Sequence, residues 1–355
     1  MSVAQGLIDC PQLQTDLLNQ FTASNPLNAR VAQGFGQWVS SPANDTGIIQ
    51  RQIDPGAGKI RKVELLYTQQ ICADDVSDDA IKSCVQTNEA GQLSQTYEID
   101  PTDGVSYGEK FDITQLAYMC KDNGVWFAQR IQAIMDALED RKNQKLAYQA
   151  ILETGTFGKD TPNVDAARKI ATIQTRYADG KFDLQGLKDI TYAAMNTGYP
   201  TIPYLFGFGE ILNYFRDVAA GCCAADGLNI ANYNSQNGSI FVPDKYLDQA
   251  FLAAGNDGGF LMTTPGAFQL LTYNEYKGSL SRIDAGMLYQ QVTIMNPKTG
   301  TEYDMTLKND CGVLHVQLKL AFKLVTLPED MYPTCSDFDG VNFVNAFAID
   351  NPALS

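Results

Sequence analysis

Two glycines bracketing a serine give this chain its most suggestive catalytic pattern. Gly104-Val105-Ser106-Tyr107-Gly108 fits the GxSxG signature of a serine nucleophile, and Asp304 and His315 follow in the chain order of the hydrolases. A nucleophile elbow needs an apolar strand before the serine and a helix directly after it. Asp100-Pro101-Thr102-Asp103 precedes this serine, and the next helical pattern starts only past Phe111. His315 falls inside a strand pattern on its polar side, whereas a triad histidine sits where it can swing a proton between two partners. The pattern therefore lacks its context, and no catalytic residue is assigned.

Other sites are weaker. Gly207-Phe208-Gly209 and Gly34-Phe35-Gly36 lack the third glycine of a dinucleotide fingerprint, and no phosphate-binding loop is present. A single histidine and eight cysteines without CxxC spacing give no zinc site. Cys222-Cys223 reads as a pair of small packing residues. The acids Asp74, Asp75, Asp78 and Asp79 have the wrong spacing for a calcium loop and no central glycine. No cofactor and no metal is expected. Carboxylate enzymes need no histidine, so a soluble carboxylate- or serine-dependent hydrolase stays open as an alternative.

Composition narrows the classes. The 355 residues carry 26 Lys plus Arg against 41 Asp plus Glu, a formal charge of -15. Such a chain does not seek phosphate backbones, which speaks against sequence-specific nucleic-acid binding but not against enclosing nucleic acid. The first residues, MSVAQGLIDCPQLQ, have no basic or apolar leader, and no apolar run is long enough to span a bilayer. The expectation is a protein made in a reducing cytoplasm, with no membrane partner.

The scaffold around these residues is organised on Phe111–Thr154. From Val125 to Thr154 there is no Gly or Pro. Phe127, Ile131, Ile134, Leu138, Leu146 and Leu152 recur at helical spacing, with Gln129, Arg130, Asp136, Glu139, Asp140, Arg141 and Lys142 expected on the wet face. Such a helix is about 45 Å long, more than a small domain is wide. A shorter helix is expected over Ile113–Lys121.

Residues 1–50 read as an irregular arm with one short helix, Pro11–Phe21, and with Phe35 and Trp38 as aromatic anchors for a neighbouring subunit. Residues 51–110 read as an extended two-stranded excursion, with strands at Lys59–Gln70 and near Ser94–Ile99. Beyond Gly155, helices are expected at Val164–Tyr177, Leu184–Asn196, Glu210–Ala220, Lys245–Ala253 (capped by Asp244) and from Pro265 to Tyr276. Strands are expected at Thr201–Phe206, Ile240–Val242 and Phe260–Thr263. The last stretch is β-rich: Leu288–Met295, a turn at Asn296–Gly300, Glu302–Lys308, the strongly alternating Val313–Leu327, and Asn342–Ile349.

This order of elements resembles the major capsid protein of tailed bacteriophages, the Hong Kong-ninety-seven-type fold. The local phrasing that carries the resemblance is FDITQLAYMCKDNGVWFAQRIQAIMDALEDRKNQKLAYQAILETG, GGFLMTTPGAFQLLTYNEYKG and KTGTEYDMTLKNDCGVLHVQLKLAFKLVTLP. The resemblance implies an α+β plate: an N-arm over 1–50 and an E-loop over 51–110. A peripheral P domain with the spine helix would take 111–180 and 286–355, and an α/β axial A domain 181–285. It implies self-assembly into hexamers and pentamers of an icosahedral head around double-stranded DNA. A separate scaffolding protein, a portal and decoration proteins would be partners, and the virion capsid, built in the bacterial host cytoplasm, the location. Candidate subunit-interface residues are Phe35, Trp38, Lys59, Arg61, Lys62, Tyr67, Arg130, Glu139, Asp140 and Arg141. The basic cluster Lys59, Arg61 and Lys62 would pair with carboxylates of a neighbour's spine helix. An encapsulin-like compartment shell with a protein cargo is the alternative that shares the fold.

Overall fold

The computed structural model describes residues 34–41, 44, 48–53, 61–68, 92–112, 124–152, 164–165, 170–180, 203–213, 240–276, 289–310, 313–326, 344–349 and 351. The expected helices Pro11–Phe21, Ile113–Lys121 and Leu184–Asn196, the Asp74–Asp79 loop, Lys59 and every cysteine lie outside these residues.

Among the described residues, helices are mixed with three sheets. A short helix, α1 (Phe35–Val39), precedes β1 (Ile49–Ile53), β2 (Arg61–Thr68) and β3 (Gln92–Ile99), which form one antiparallel sheet in that order. Val63, Leu65 and Tyr67 alternate onto the inner face of this sheet, as their spacing predicts. With Ile99 they pack on Leu271, Tyr273, Ala321 and Val325 of the body.

The long helix, α2 (Gly124–Leu152), has 29 residues, or about 44 Å. It lies against a second sheet made of β4 (Val105–Asp112), β10 (Phe268–Tyr273), β11 (Tyr289–Met295), β12 (Glu302–Asp310) and β13 (Val313–Thr326). Strand β13 is the spine of that sheet. Leu314, Val316, Leu318, Leu320 and Phe322 are buried on the face the alternation selects. They join Ile131, Ile134, Met135, Leu138 and Leu146 of α2 in the main core. The third sheet runs β5 (Val164–Asp165), β6 (Ile170–Ile173), β14 (Val344–Ile349), β9 (Gly258–Thr263), β7 (Tyr204–Gly207), β8 (Ile240–Pro243). Helix α3 (Lys245–Ala253) packs on it, with Asp244 as its N-cap.

Three local readings are corrected, all by the same physics: a buried strand must have its backbone groups paired. Phe268–Tyr273 is a strand and not a helix opened by Pro265. β13 pairs with β4 only as far as Leu320, and its last residues pair with β10, from Ala321↔Tyr273 to Thr326↔Phe268. Ile170–Ile173, expected within a helix, is a strand held between β5 and β14. Val105–Asp112, to which the sequence reading assigns no strand, is β4, recruited along the flank of β13. A fourth correction concerns α2: Glu139 and Lys142, assigned to its wet face, are buried.

The start of β4 requires a glycine. A Cβ on Gly104 would lie 2.1 Å from the Leu320 carbonyl oxygen and 2.9 Å from the Ala321 Cα, both backbone atoms that cannot turn away. Gly104→Ala is expected to lower the unfolding free energy by about 1–3 kcal/mol, read from urea midpoints at unchanged slope.

Candidate functional site

Among the described residues, three of the places where segments distant in sequence are tied together involve the residues singled out above. The first holds the arm. Phe35 sits edge-on between Phe206 and Phe268, with ring centroids 5.5 and 5.1 Å away, and Trp38 packs on Tyr204 and Phe206 at 5.2 and 5.0 Å. The Asp244 carboxylate accepts from Tyr246 N (2.8 Å) and Leu247 N (3.1 Å), satisfying the first turn of α3. Its other oxygen accepts from Phe35 N at 2.6 Å. One buried carboxylate therefore caps a helix and fastens the arm, and burial raises its pKa against those donors. Asn44 completes the clasp, donating to Val39 O and Phe268 O and accepting from Gly266 N. Gly36 is pressed onto α2, where a Cβ would meet Asn143 Oδ1 at 2.2 Å.

The second tie joins α2 to the turn between β11 and β12. Glu139 and Lys142 pair at 2.6 Å, and Lys142 exposes 2% of its side chain. Glu139 accepts from the Thr299 and Tyr303 hydroxyls, each at 2.8 Å, and Lys142 donates to Thr301 Oγ1 at 3.0 Å. One turn earlier, Lys298 reaches Asp136 at 2.6 Å. Burial pushes the Glu139 carboxyl up, but Lys142 and the hydroxyls outweigh it, and its pKa is lowered. Tyr303 is raised well above its ordinary value by burial and by Glu139.

The third tie is at the base of the three-stranded sheet. Arg61 (3.2 Å) and Lys319 (2.6 Å) share the carboxylate of Glu275. Asp304, buried beside them, accepts from Glu275 N (2.6 Å), Thr293 Oγ1 (2.9 Å) and Tyr276 N (3.4 Å).

These contacts relocate the residues singled out by sequence. Phe35, Trp38, Tyr67 and Glu139, expected to face a neighbour, are buried inside their own chain. The chain's own body supplies the apolar surface the arm needed. Arg61 pairs with Glu275, Lys62 with Glu98, and Arg130 with Glu109 through both carboxylate oxygens. Asp140 accepts from the Tyr246 hydroxyl, and Arg141 donates to Gln144. The polar partners that α2 finds in the β11–β12 turn are new: Thr299, Thr301 and Tyr303 carry no sequence signal, because only the fold brings that turn to the helix.

The hydrolase constellation does not assemble. Ser106 lies within β4 opposite Lys319, while His315 lies opposite Lys110, four residues further along β13 and about 13 Å away. Asp304 spends its oxygens on Glu275, Tyr276 and Thr293. Lys319 is engaged by Glu275 at 2.6 Å, and although burial lowers its pKa, Glu275 and Tyr276 outweigh that and raise it. Among the described residues there is no group of three or more His, Cys, Asp or Glu that could hold a metal, and no helix long and apolar enough to cross a membrane.

No protein-family model and no curated protein matches the chain. Among solved structures, it is similar to a chain of the Cyanophage A-1(L) capsid asymmetric unit, at 10% identity over 91% of this chain and 95% of that one, TM-score 0.49. It is similar to a chain of Mycobacterium phage Bobi, at 17% identity over 92% and 94%, TM-score 0.43. It is also similar to a virus-like particle from Pyrococcus furiosus, at 9% identity over 95% and 98%, TM-score 0.37.

Proposed function

We propose that this chain is a structural shell protein, the major capsid subunit of an icosahedral bacteriophage head. The observation that carries the reading is one piece of topology. Strand β4, just before α2, shares one sheet with β10 and with β11–β13, which come between β9 and β14 of the third sheet in sequence, and the 29-residue helix is laid across it. We read this as a plate whose peripheral domain is built from the separated stretches 111–180 and 286–355, with an axial domain over 181–285 between them, the third sheet and β10 joining the two. The separate sheet of β1–β3 supports an E-loop over 51–110 that reaches from the plate, behind an N-arm over 1–50.

In this reading the function is assembly and not catalysis. Copies associate as hexamers and pentamers and close around double-stranded DNA without reading its sequence. A subunit with net charge -15 does not grip the packed polyanion. Arg61, Lys62, Arg130, Asp140 and Arg141 remain surface candidates for contacts between copies, in competition with the pairs they make within the chain. A scaffolding protein, portal and decoration proteins are the expected partners, and the virion is the expected location.

Size-exclusion chromatography with negative-stain electron microscopy of every peak tests the reading. Rings, tubes or closed shells are expected. A monomer that persists with crowding agent and scaffold overturns it. Particles filled with an enzyme in place of nucleic acid, seen as a low ratio of absorbance at 260 to 280 nm, transfer the shell to the compartment class.

A further inference from the structure

We infer that a pocket of about 250 Å3 at the joint between the three-stranded sheet and the body binds an oxyanion, a carboxylate or phosphate group. The inference goes beyond the shell reading and does not depend on it. Arg61, Ser106, Gln317 and Lys319 line the pocket, together with Asp304. Arg61 and Lys319 share one partner, Glu275, which does not line the pocket, and Asp304 stands opposite Lys319 in the sheet register. The Asp304 oxygens accept from two backbone amides and from Thr293, while burial raises its pKa and so favours its neutral form.

Register supplies the neutral donors. Ser106 stands opposite Lys319, and Gln317 stands opposite Gly108, so both lie on the face of the sheet that carries Lys319. Both are exposed. The hydroxyl and the amide flank the two cations, and a planar guanidinium beside an ammonium suits a carboxylate or phosphate that can take several hydrogen bonds at once. Glu275 and Tyr276 keep Lys319 charged. The function that the GxSxG pattern suggested for Ser106 is replaced by one its position allows: donation to a bound anion.

Calorimetric titration of the full-length, unassembled protein with inorganic phosphate, at ionic strength held constant with chloride, tests the site. One saturable site per chain is expected. Lys319→Met weakens binding about tenfold or more, and Ser106→Ala weakens it several-fold at unchanged melting temperature. Absence of saturable heat overturns the inference, as does Ser106→Ala binding phosphate like the parent. The second variant decides the matter should Lys319→Met fold poorly. The source of the natural anion follows from repeating the titration on assembled material. Binding retained there supports the site and points to a free anion. Binding lost on assembly supports it and points to a carboxylate from a second copy, in a chain that carries 41 of them.

Discussion

Replacing Lys142 by methionine is expected to lower the unfolding free energy by about 3–5 kcal/mol, the usual result of stranding a buried charge. Lys142 is enclosed, and its ammonium is the cation against Glu139, at 2.6 Å. Methionine fills a similar volume, so the loss comes from Glu139 left among Thr299, Tyr303 and the main core without a counter-charge. The double variant Glu139→Gln/Lys142→Met is therefore expected to recover most of the loss. Urea unfolding of the single and double variants checks both statements. A single variant as stable as the parent would show that Glu139 finds another cation or water.

The same pair sets a pH dependence. The folded-state pKa of Glu139 is lowered relative to the unfolded chain. Its contribution is present above the unfolded value, about 4.3, and is lost as pH falls through the folded one. The parent should lose more stability than Glu139→Gln as pH drops below about 5. Equal slopes for the two proteins over that range would remove Glu139 as the cause.

Phe35→Ala carries the second large effect, about 3–5 kcal/mol. Phe35 has no exposed surface and touches two aromatic rings from different sheets, Phe206 and Phe268. The loss is expected in the dissociated subunit, because the contacts lie within one chain. An arm anchored on a neighbour would behave differently: the isolated subunit would be indifferent to the substitution, and only assembly would suffer. Denaturant unfolding of unassembled protein separates the two. The same experiment on Trp38→Phe, which keeps an aromatic ring in place, is expected to cost less.

Much of the fold is legible in the sequence. Period-two alternation in VLHVQLKLAFKLVT located β13 and named its buried face, because a one-residue shift would turn every apolar side chain to water. The uninterrupted stretch after Gly124 located α2, and Asp244 located the start of α3 through a cap that uses only its own neighbours. The same local reasoning dismissed Ser106 as a nucleophile, and the structure places it within a strand.

Other features are outcomes of competition between distant partners, and no local pattern announces them. FQLLTY is a strand because β13 outruns β4 and leaves backbone groups to be paired. Glu139 and Lys142 sit at positions that an amphipathic pattern assigns to solvent. They are buried because a turn some 160 residues away brings Thr299, Thr301 and Tyr303 to meet them. Phe35 and Trp38 declare in sequence that they need an apolar surface, but not whose. Hydrophobic burial is non-directional, so composition sets the need for a partner, and only the folded chain, through Phe206, Phe268 and Asp244, chooses it.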